Sequence, residues 1–385
     1  MSTWFYSVAP IGLEYATVYF IPEIFFALAL VRVIATASIE LSKDVEHKMV
    51  AVSCWRAACE GLAFVAFLYF VQLQGTIPSG TAFYGYLYVS KGLTGAKLAV
   101  SLTSFFVMHS SGNYIREHTR HVLEYPMVLV LAVLLLLVLV STTNLLLLFL
   151  VLAGFSLNMY ILVVFDVPDA ASREASLKYF YLSTLSTGFI LFGTLIIYVI
   201  LGDASYRYIA FCADGTFLSL AQRSTIERAV IFIVIGFLFK LSAFPGHLWA
   251  VEVYEGSPMP VMAFFILPVK IAVFITFLRL LNTAFYDFSS VLAPILGVAA
   301  IGSLAWGAFA ALQSRQTIRF LGYASINQMG FLILGLGTNT DLGLRAALFY
   351  LTVYAVMTGG FLLVLLNLRK ASGAYFLALS DFRGI

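Results

Sequence analysis

Charge is scarce in this sequence. Only 11% of its 385 residues are Asp, Glu, Lys or Arg, less than half the roughly 25% of an ordinary soluble domain. A soluble core could not hide the apolar groups that remain, so a globular water-soluble fold is excluded. Net charge is only +3 and the basic residues are dispersed, which excludes nucleic acid as a partner. Cysteine is scarce too. Cys54, Cys59 and Cys212 form no CxxC pair, which argues against a disulfide framework and against iron–sulfur ligation. There is no G-x-G-x-x-G after a strand, no Walker loop, no CxxCH and no nucleophile elbow, so neither nucleotide binding nor electron carriage is expected of this chain. His118 and His121 form an HxxH, but with no further ligand nearby a metal site is not expected. The N-terminal "MSTWFYSVAPIGLEYATVYF" carries no basic n-region and no Arg-rich presequence; insertion through the chain's own helices is expected, and synthesis inside the organelle if it is organellar.

What is present is apolar: 62% of the residues, with a mean hydropathy of +0.98. About twenty such residues cross a bilayer as a helix. Eleven segments qualify: 15–38, 49–73, 84–109, 126–142, 145–165, 176–201, 229–250, 260–282, 289–311, 320–337 and 344–367. The fold class predicted is an all-α polytopic membrane protein with lipid around it. The loops after odd-numbered spans and the C-terminal tail hold eleven basic residues (Lys43, Lys48, Arg116, Arg120, Arg173, Lys178, Arg315, Arg319, Arg369, Lys370, Arg383); the opposite side holds four (Arg207, Arg223, Arg228, Arg345). That asymmetry predicts an outside N-terminus and an inside C-terminus.

Seven basic residues remain within spans. Arg32, Arg279, Lys91 and Lys97 lie close enough to a span end to snorkel. Lys240 does not. It stands eleven residues from the start of its span and ten from the end, roughly 15 Å from either surface at 1.5 Å per residue. Lys270 is equally central in 260–282. An ionisable group at that depth is costly, roughly 3 kcal/mol on translocon scales, and points to function. Pro245 lacks an N–H and its ring clashes with the carbonyl of Leu241, so the helix is expected to break just after Lys240, with Gly246 loosening the same point. Pro268 is expected to bend the next helix beside Lys270. An ammonium held away from water gives up its proton more readily than one at a surface. The two lysines, linked by the acid-bearing "AVEVYEGSPMP", therefore read as steps of a proton relay. Glu23, Glu60 and His247 are candidate members of that relay. Arg56 and Glu60, four apart on one helix face, are equally consistent with a self-neutralising pair.

"FKLSAFPGHLWAVEVYEGSPMPV…PVKIAVF", with "FIPEIFFALAL", "EASLKYFYLSTLSTGFILFG" and "GYASINQMGFLILGLG", resembles the antiporter-like subunits of respiratory complex I, on the branch of subunit 2 and its bacterial counterpart subunit N. The likeness runs from residue 21 to the end of the sequence. It implies a bundle of fourteen helices with two inverted repeats of five, each containing one broken helix, and so divides this chain into 1–125 (three helices), 126–285 (the first repeat, a proton half-channel) and 286–385 (an incomplete second repeat). It implies that Lys240 is the central lysine of the half-channel and Lys270 the bridging lysine. It also implies proton translocation driven by quinone reduction elsewhere in the complex, in the mitochondrial inner membrane with the N-terminus in the intermembrane space. NADH, FMN, iron–sulfur clusters and ubiquinone would belong to the complex, and none to this chain; the partners would be other membrane-arm subunits.

Three departures stand out. Ala153 occupies the place, seven residues before Tyr160, where the family carries a glutamate, so Glu60 or Glu23 is expected to partner Lys240. Gln328 stands where histidine is common. The family continues for about three helices beyond "LSDFRGI", including a second lysine-bearing broken helix, which a separate polypeptide is expected to supply. A multi-subunit sodium/proton antiporter or related hydrogenase, and a structural spacer that has lost pumping, are the competing readings.

Overall fold

The computed structural model describes residues 18–41, 47–77, 79–113, 124–164, 170–214, 218–368 and 378–382. In lipid each backbone N–H and C=O must find its partner within the protein, which leaves the helix as the default for an apolar chain. The helices are α1 (Ile21–Leu41), α2 (His47–Gln74), α3 (Lys91–Ser110), α4 (Glu124–Ser141), α5 (Leu145–Val163), α6 (Ala170–Leu201), α7 (Tyr206–Asp214), α8 (Leu220–Lys240), α9 (Leu248–Gly256), α10 (Met259–Phe264), α11 (Lys270–Thr283), α12 (Ser289–Gln313), α13 (Thr317–Gly337) and α14 (Asp341–Asn367). A π-helical turn, Phe265–Val269, joins α10 to α11. Among the described residues, nine segments are long and apolar enough to cross a membrane. The expected spans at α3 and α8 lie outside these nine. Two lysines and several hydroxyls lower the hydropathy of α3, and α8 opens with the polar stretch "LAQRSTIER".

Two expected boundaries are corrected. The span placed at 84–109 begins as a hairpin, in which β1 (Gly80–Ala82) pairs antiparallel with β2 (Leu87–Val89). Phe83, Tyr84 and Gly85 all take positive φ at its tip, at 52°, 56° and 88°. Such a tip cannot continue a helix. Only then does Ser90 cap α3, its hydroxyl accepting from the Leu93 N–H at 3.4 Å. The span placed at 229–250 in fact runs as α8 to Lys240, breaks, and resumes as α9.

The stretch 259–280 is buried along its whole length and forms the axis of the bundle, with α3 and α4 packed against α11. On one side α1, α2 and α3 pack together; on the other, α6 pairs closely with α8, and α12 with α13. The α6–α8 contact depends on small residues. A Cβ added at Gly236 would lie 2.5 Å from Ile190 Cγ1 and 2.8 Å from the Ser186 carbonyl, and one at Gly193 would lie 2.4 Å from the Ala229 carbonyl. Glycine lets the two backbones approach this closely, and the Ser186 hydroxyl donates to the Gly236 carbonyl at 2.9 Å. This contact sets the distance between α6 and the end of α8, where Lys240 stands.

Candidate functional site

The break after Lys240 occurs where Pro245 and Gly246 predict it. Its irregular backbone is satisfied by neighbours, as membrane depth requires. The Trp249 indole donates to the Phe239 carbonyl at 3.0 Å, the Phe244 N–H donates to the Ser303 hydroxyl on α12 at 2.8 Å, and the Ala243 N–H donates to Leu238 O at 2.9 Å. His247 lies inside the break, 4% exposed, stacked on Phe244 and edge-on to Trp306.

Lys240 ends α8 and reaches across to α5 and α6. Its Nζ donates to Ser156 Oγ at 2.6 Å and Ser183 Oγ at 2.7 Å, with the Ser183 carbonyl at 3.5 Å. The expected carboxylate partners are elsewhere. Glu23 forms a buried ion pair with Lys97, and Glu60 pairs with Arg32 at 2.6 Å. The Arg56–Glu60 reading is likewise corrected: Glu60 reaches to the neighbouring helix, and Arg56 is exposed on α2. Ala153 lies one turn before Ser156 on the same face of α5, so the residue that lacks an acid borders the hydroxyl that Lys240 uses.

Lys270 is 1% exposed and donates to Ser325 Oγ on α13 at 3.0 Å, and that hydroxyl donates in turn to the Gly322 carbonyl at 2.7 Å. It begins α11 immediately after the π-helical turn that contains Pro268. Proline removes one ladder bond there, and the Tyr354 phenol donates to the Ile266 carbonyl inside the turn. Gln328, at the place where the resemblance expects histidine, accepts a hydrogen bond from Tyr350 of α14.

Lys240 and Lys270 line one cavity of about 20 Å³, together with Ser183, Tyr179, Trp249 and Tyr254 among others. A void of roughly 10–15 Å³ suffices for one water molecule when polar groups surround it. The acids between the two lysines in sequence point away from that cavity. Glu252 pairs with Lys178 at 2.6 Å and Glu255 with Arg319 at 2.8 Å, all four side chains being at least one-third exposed or close to it.

Three in-span cations depart from the snorkelling expectation, the first being Arg32, which stands at the middle of α1 and pairs with Glu60 of α2. Lys97 is 4% exposed, held by Glu23 and by the face of Phe20, whose centroid lies 4.7 Å from Nζ. Arg279 is 5% exposed and donates to the Val140 carbonyl, its guanidinium carbon 5.6 Å from the Tyr88 ring centroid. His118 and His121 lie outside the described residues. Among the described residues no group of three His, Cys, Asp or Glu side chains is placed to hold a metal ion.

A family described as "NADH:quinone oxidoreductase/Mrp antiporter, TM" matches residues 142–383. The chain is 35% identical over 305 residues to NADH-quinone oxidoreductase subunit N of Parvibaculum lavamentivorans, covering 78% of this chain and 62% of that protein. It is 31% identical over 367 residues to subunit N of Paramagnetospirillum magneticum, covering 95% and 73%. The chain thus spans about three fifths of the first of these relatives. A chain of respiratory complex I from Thermus thermophilus superposes with a TM-score of 0.71 at 24% identity, covering 93% of this chain and 72% of that one, a likeness of fold.

Proposed function

This chain belongs to the NADH:quinone oxidoreductase/Mrp antiporter membrane-subunit family, and on that premise we propose that it moves protons through the membrane arm of an NADH:quinone oxidoreductase. The observation that carries the proposal is the small cavity lined by both Lys240 and Lys270. The cavity has room for one water between the two amino groups, each otherwise held by hydroxyls, and a hydroxyl both accepts and donates protons. In this reading the proton enters at Lys240, held by Ser156 and Ser183, crosses the cavity, and leaves from Lys270 past Ser325. His247 lines the break but touches no part of that route. The chain contributes no redox group; NADH, FMN, iron–sulfur clusters and ubiquinone work in other subunits, and quinone reduction there supplies the energy.

The same proposal divides the chain at residues 1–125, 126–285 and 286–385, and places it in the mitochondrial inner membrane with the hairpin on the outer side. The basic-residue asymmetry supports that orientation. The relatives named above are bacterial, so the choice of membrane rests on the sequence reading and is tested by fractionation. Other membrane-arm subunits are the partners. Supporting this, the Arg32–Glu60 pair lies near the middle of α1 and α2 with side chains 58% and 61% exposed, where lipid alone is a costly neighbour. Further helices beside Ser289–Asn367, including any on a separate polypeptide, are tested by cross-linking from α12 and α14.

The test is Lys240→Ala in the assembled complex, with protons moved per NADH oxidised as the readout. A fall in that ratio is expected, and Lys270→Ala should lower it less if water bypasses that step. An unchanged ratio favours the spacer reading, which the lack of any carboxylate among the hydrogen-bond partners of Lys240 in the described residues supports.

A further inference from the structure

At the hairpin end of the bundle, away from the lysine pair, lies the larger cavity, about 290 Å³. That is at the small end of the roughly 300–1,000 Å³ typical of small-molecule pockets: room for a headgroup, not for a nucleotide. Its walls are tied together by backbone hydrogen bonds. Thr143 N–H donates to the Tyr86 carbonyl at 3.0 Å, Tyr206 N–H to the Thr143 carbonyl at 2.9 Å, and Leu145 N–H to the Ala204 carbonyl at 2.9 Å. The hairpin, the α4–α5 turn and the α6–α7 linker thus form one fixed cup.

The chemistry lining the cup is that of an anion site. Arg279, 95% buried, uses one N–H on the Val140 carbonyl, and a guanidinium has five such donors in a planar fork that suits phosphate. The hydroxyl of Tyr88, in a residue 6% exposed, is buried without a hydrogen-bond partner among the described residues, and that of Tyr206, 3% exposed, lies beside Thr142; both residues line the cavity. Buried hydroxyls in that state are costly and call for an acceptor. Arg207 is exposed at the rim. The lining acid, Asp203, spends both oxygens on Ser205, at 3.0 Å from its N–H and 2.7 Å from its hydroxyl. Arg279 is therefore the buried cation of the lining, and the carboxylate of Asp203 is turned to Ser205.

We propose that this cavity binds a phosphate-type oxyanion, carried by the headgroup of an anionic phospholipid. The aromatic mouth favours the lipid as its source. Tyr84 is 93% exposed and Tyr86 50%, and exposed tyrosines at the end of a transmembrane bundle mark headgroup level. Basic pockets between transmembrane helices are a recurrent way of holding such headgroups. Arg279 and the two phenols grip the phosphate, and the acyl chains leave past Tyr84.

The proposal is tested by native mass spectrometry of the full chain from detergent containing equal amounts of dioleoyl phosphatidylglycerol and dioleoyl phosphatidylcholine. Preferential retention of phosphatidylglycerol is expected. Arg279→Gln should reduce it about tenfold or more, and Tyr88→Phe and Tyr206→Phe several-fold each, the usual range for charged and neutral hydrogen bonds. Should Arg279→Gln fail to assemble, the two Phe variants decide alone, since each removes a single hydroxyl and leaves the ring in place. Inorganic phosphate at millimolar concentration is the second arm. Displacement of phosphatidylglycerol by it, sensitive to the same variants, keeps the oxyanion site and assigns it to a soluble anion; failure to displace assigns it to the lipid. Equal retention of the two lipids with no variant-sensitive phosphate binding overturns the proposal, as does selectivity that all three variants leave intact.

Discussion

The ammonium of Lys240 is held at 2.6 Å by the hydroxyl of Ser156, one helical turn from the alanine that replaces an expected glutamate. A hydroxyl is a weaker partner for an ammonium than a carboxylate, but it can pass a proton in either direction. The site therefore combines a lysine with two serines across α5, α6 and α8.

Ser156→Ala and Ser183→Ala should each slow proton translocation about two- to tenfold, the effect of one hydrogen bond of roughly 0.5–1.5 kcal/mol. The double variant should be slower than either. The rate of acidification in vesicles carrying the assembled complex is the readout, and single variants at parental speed would remove the serines from the route.

Gly236→Ala should act at a distance. The new methyl meets Ile190 and the Ser186 carbonyl, so α8 must shift from α6 and carry Lys240 away from Ser183. A stability loss of about 1–3 kcal/mol is expected from such overpacking, together with slower pumping. Parental thermal stability of the purified variant would show that the helices separate freely there.

Removing one member of the Glu23–Lys97 pair leaves the other buried without a counter-charge. Glu23→Gln or Lys97→Met should each cost about 3–5 kcal/mol, read as a fall in unfolding midpoint in detergent. The double variant should recover much of the loss. An additive double variant would mean that the two side chains do not interact.

Orientation is open to labelling. Tyr84→Cys, at the exposed hairpin tip, should react with a membrane-impermeant maleimide from the outer face. Gln313→Cys, exposed at the other end of the bundle, should react only from the inner face. The native cysteines Cys54, Cys59 and Cys212 are buried and give a low background. The opposite pattern would reverse the topology.

Long apolar segments and the proline break were legible in the sequence because lipid leaves the backbone few alternatives to a helix. The Lys240 break follows directly from the ring of Pro245. The hairpin was not legible: "AFYGYLYV" is as apolar as a helix, and only the positive φ of Phe83 and Tyr84 separates the two states. Starting the helix at Lys91 brings Lys97 within two turns of its end, yet the side chain is held inside by Glu23 of α1 rather than released to the surface. The partners of Lys240 were hidden for another reason. Serine occurs in most of these helices, so nothing local marks Ser156 and Ser183; the glycine contact between α6 and α8 brings Ser183 to the lysine, and the packing of α5 on α6 brings Ser156. Glu60 misleads because the (i, i+4) rule considers one helix, whereas Arg32 competes from its neighbour.

The Glu23–Lys97 pair also constrains how the chain is made. Its acid lies on the first of the described helices and its base on the third, so a nascent chain that has not yet released Lys97 exposes an unpaired carboxyl to lipid. Charges within the bilayer carry a penalty of roughly 2.5–3.5 kcal/mol on insertion scales. On this ground release of α1 into lipid is expected to wait until α3 emerges and Lys97 can pair with Glu23. An integration assay on chains halted before and after Lys97 would detect this as a step in release of α1, and Lys97→Met would abolish the step.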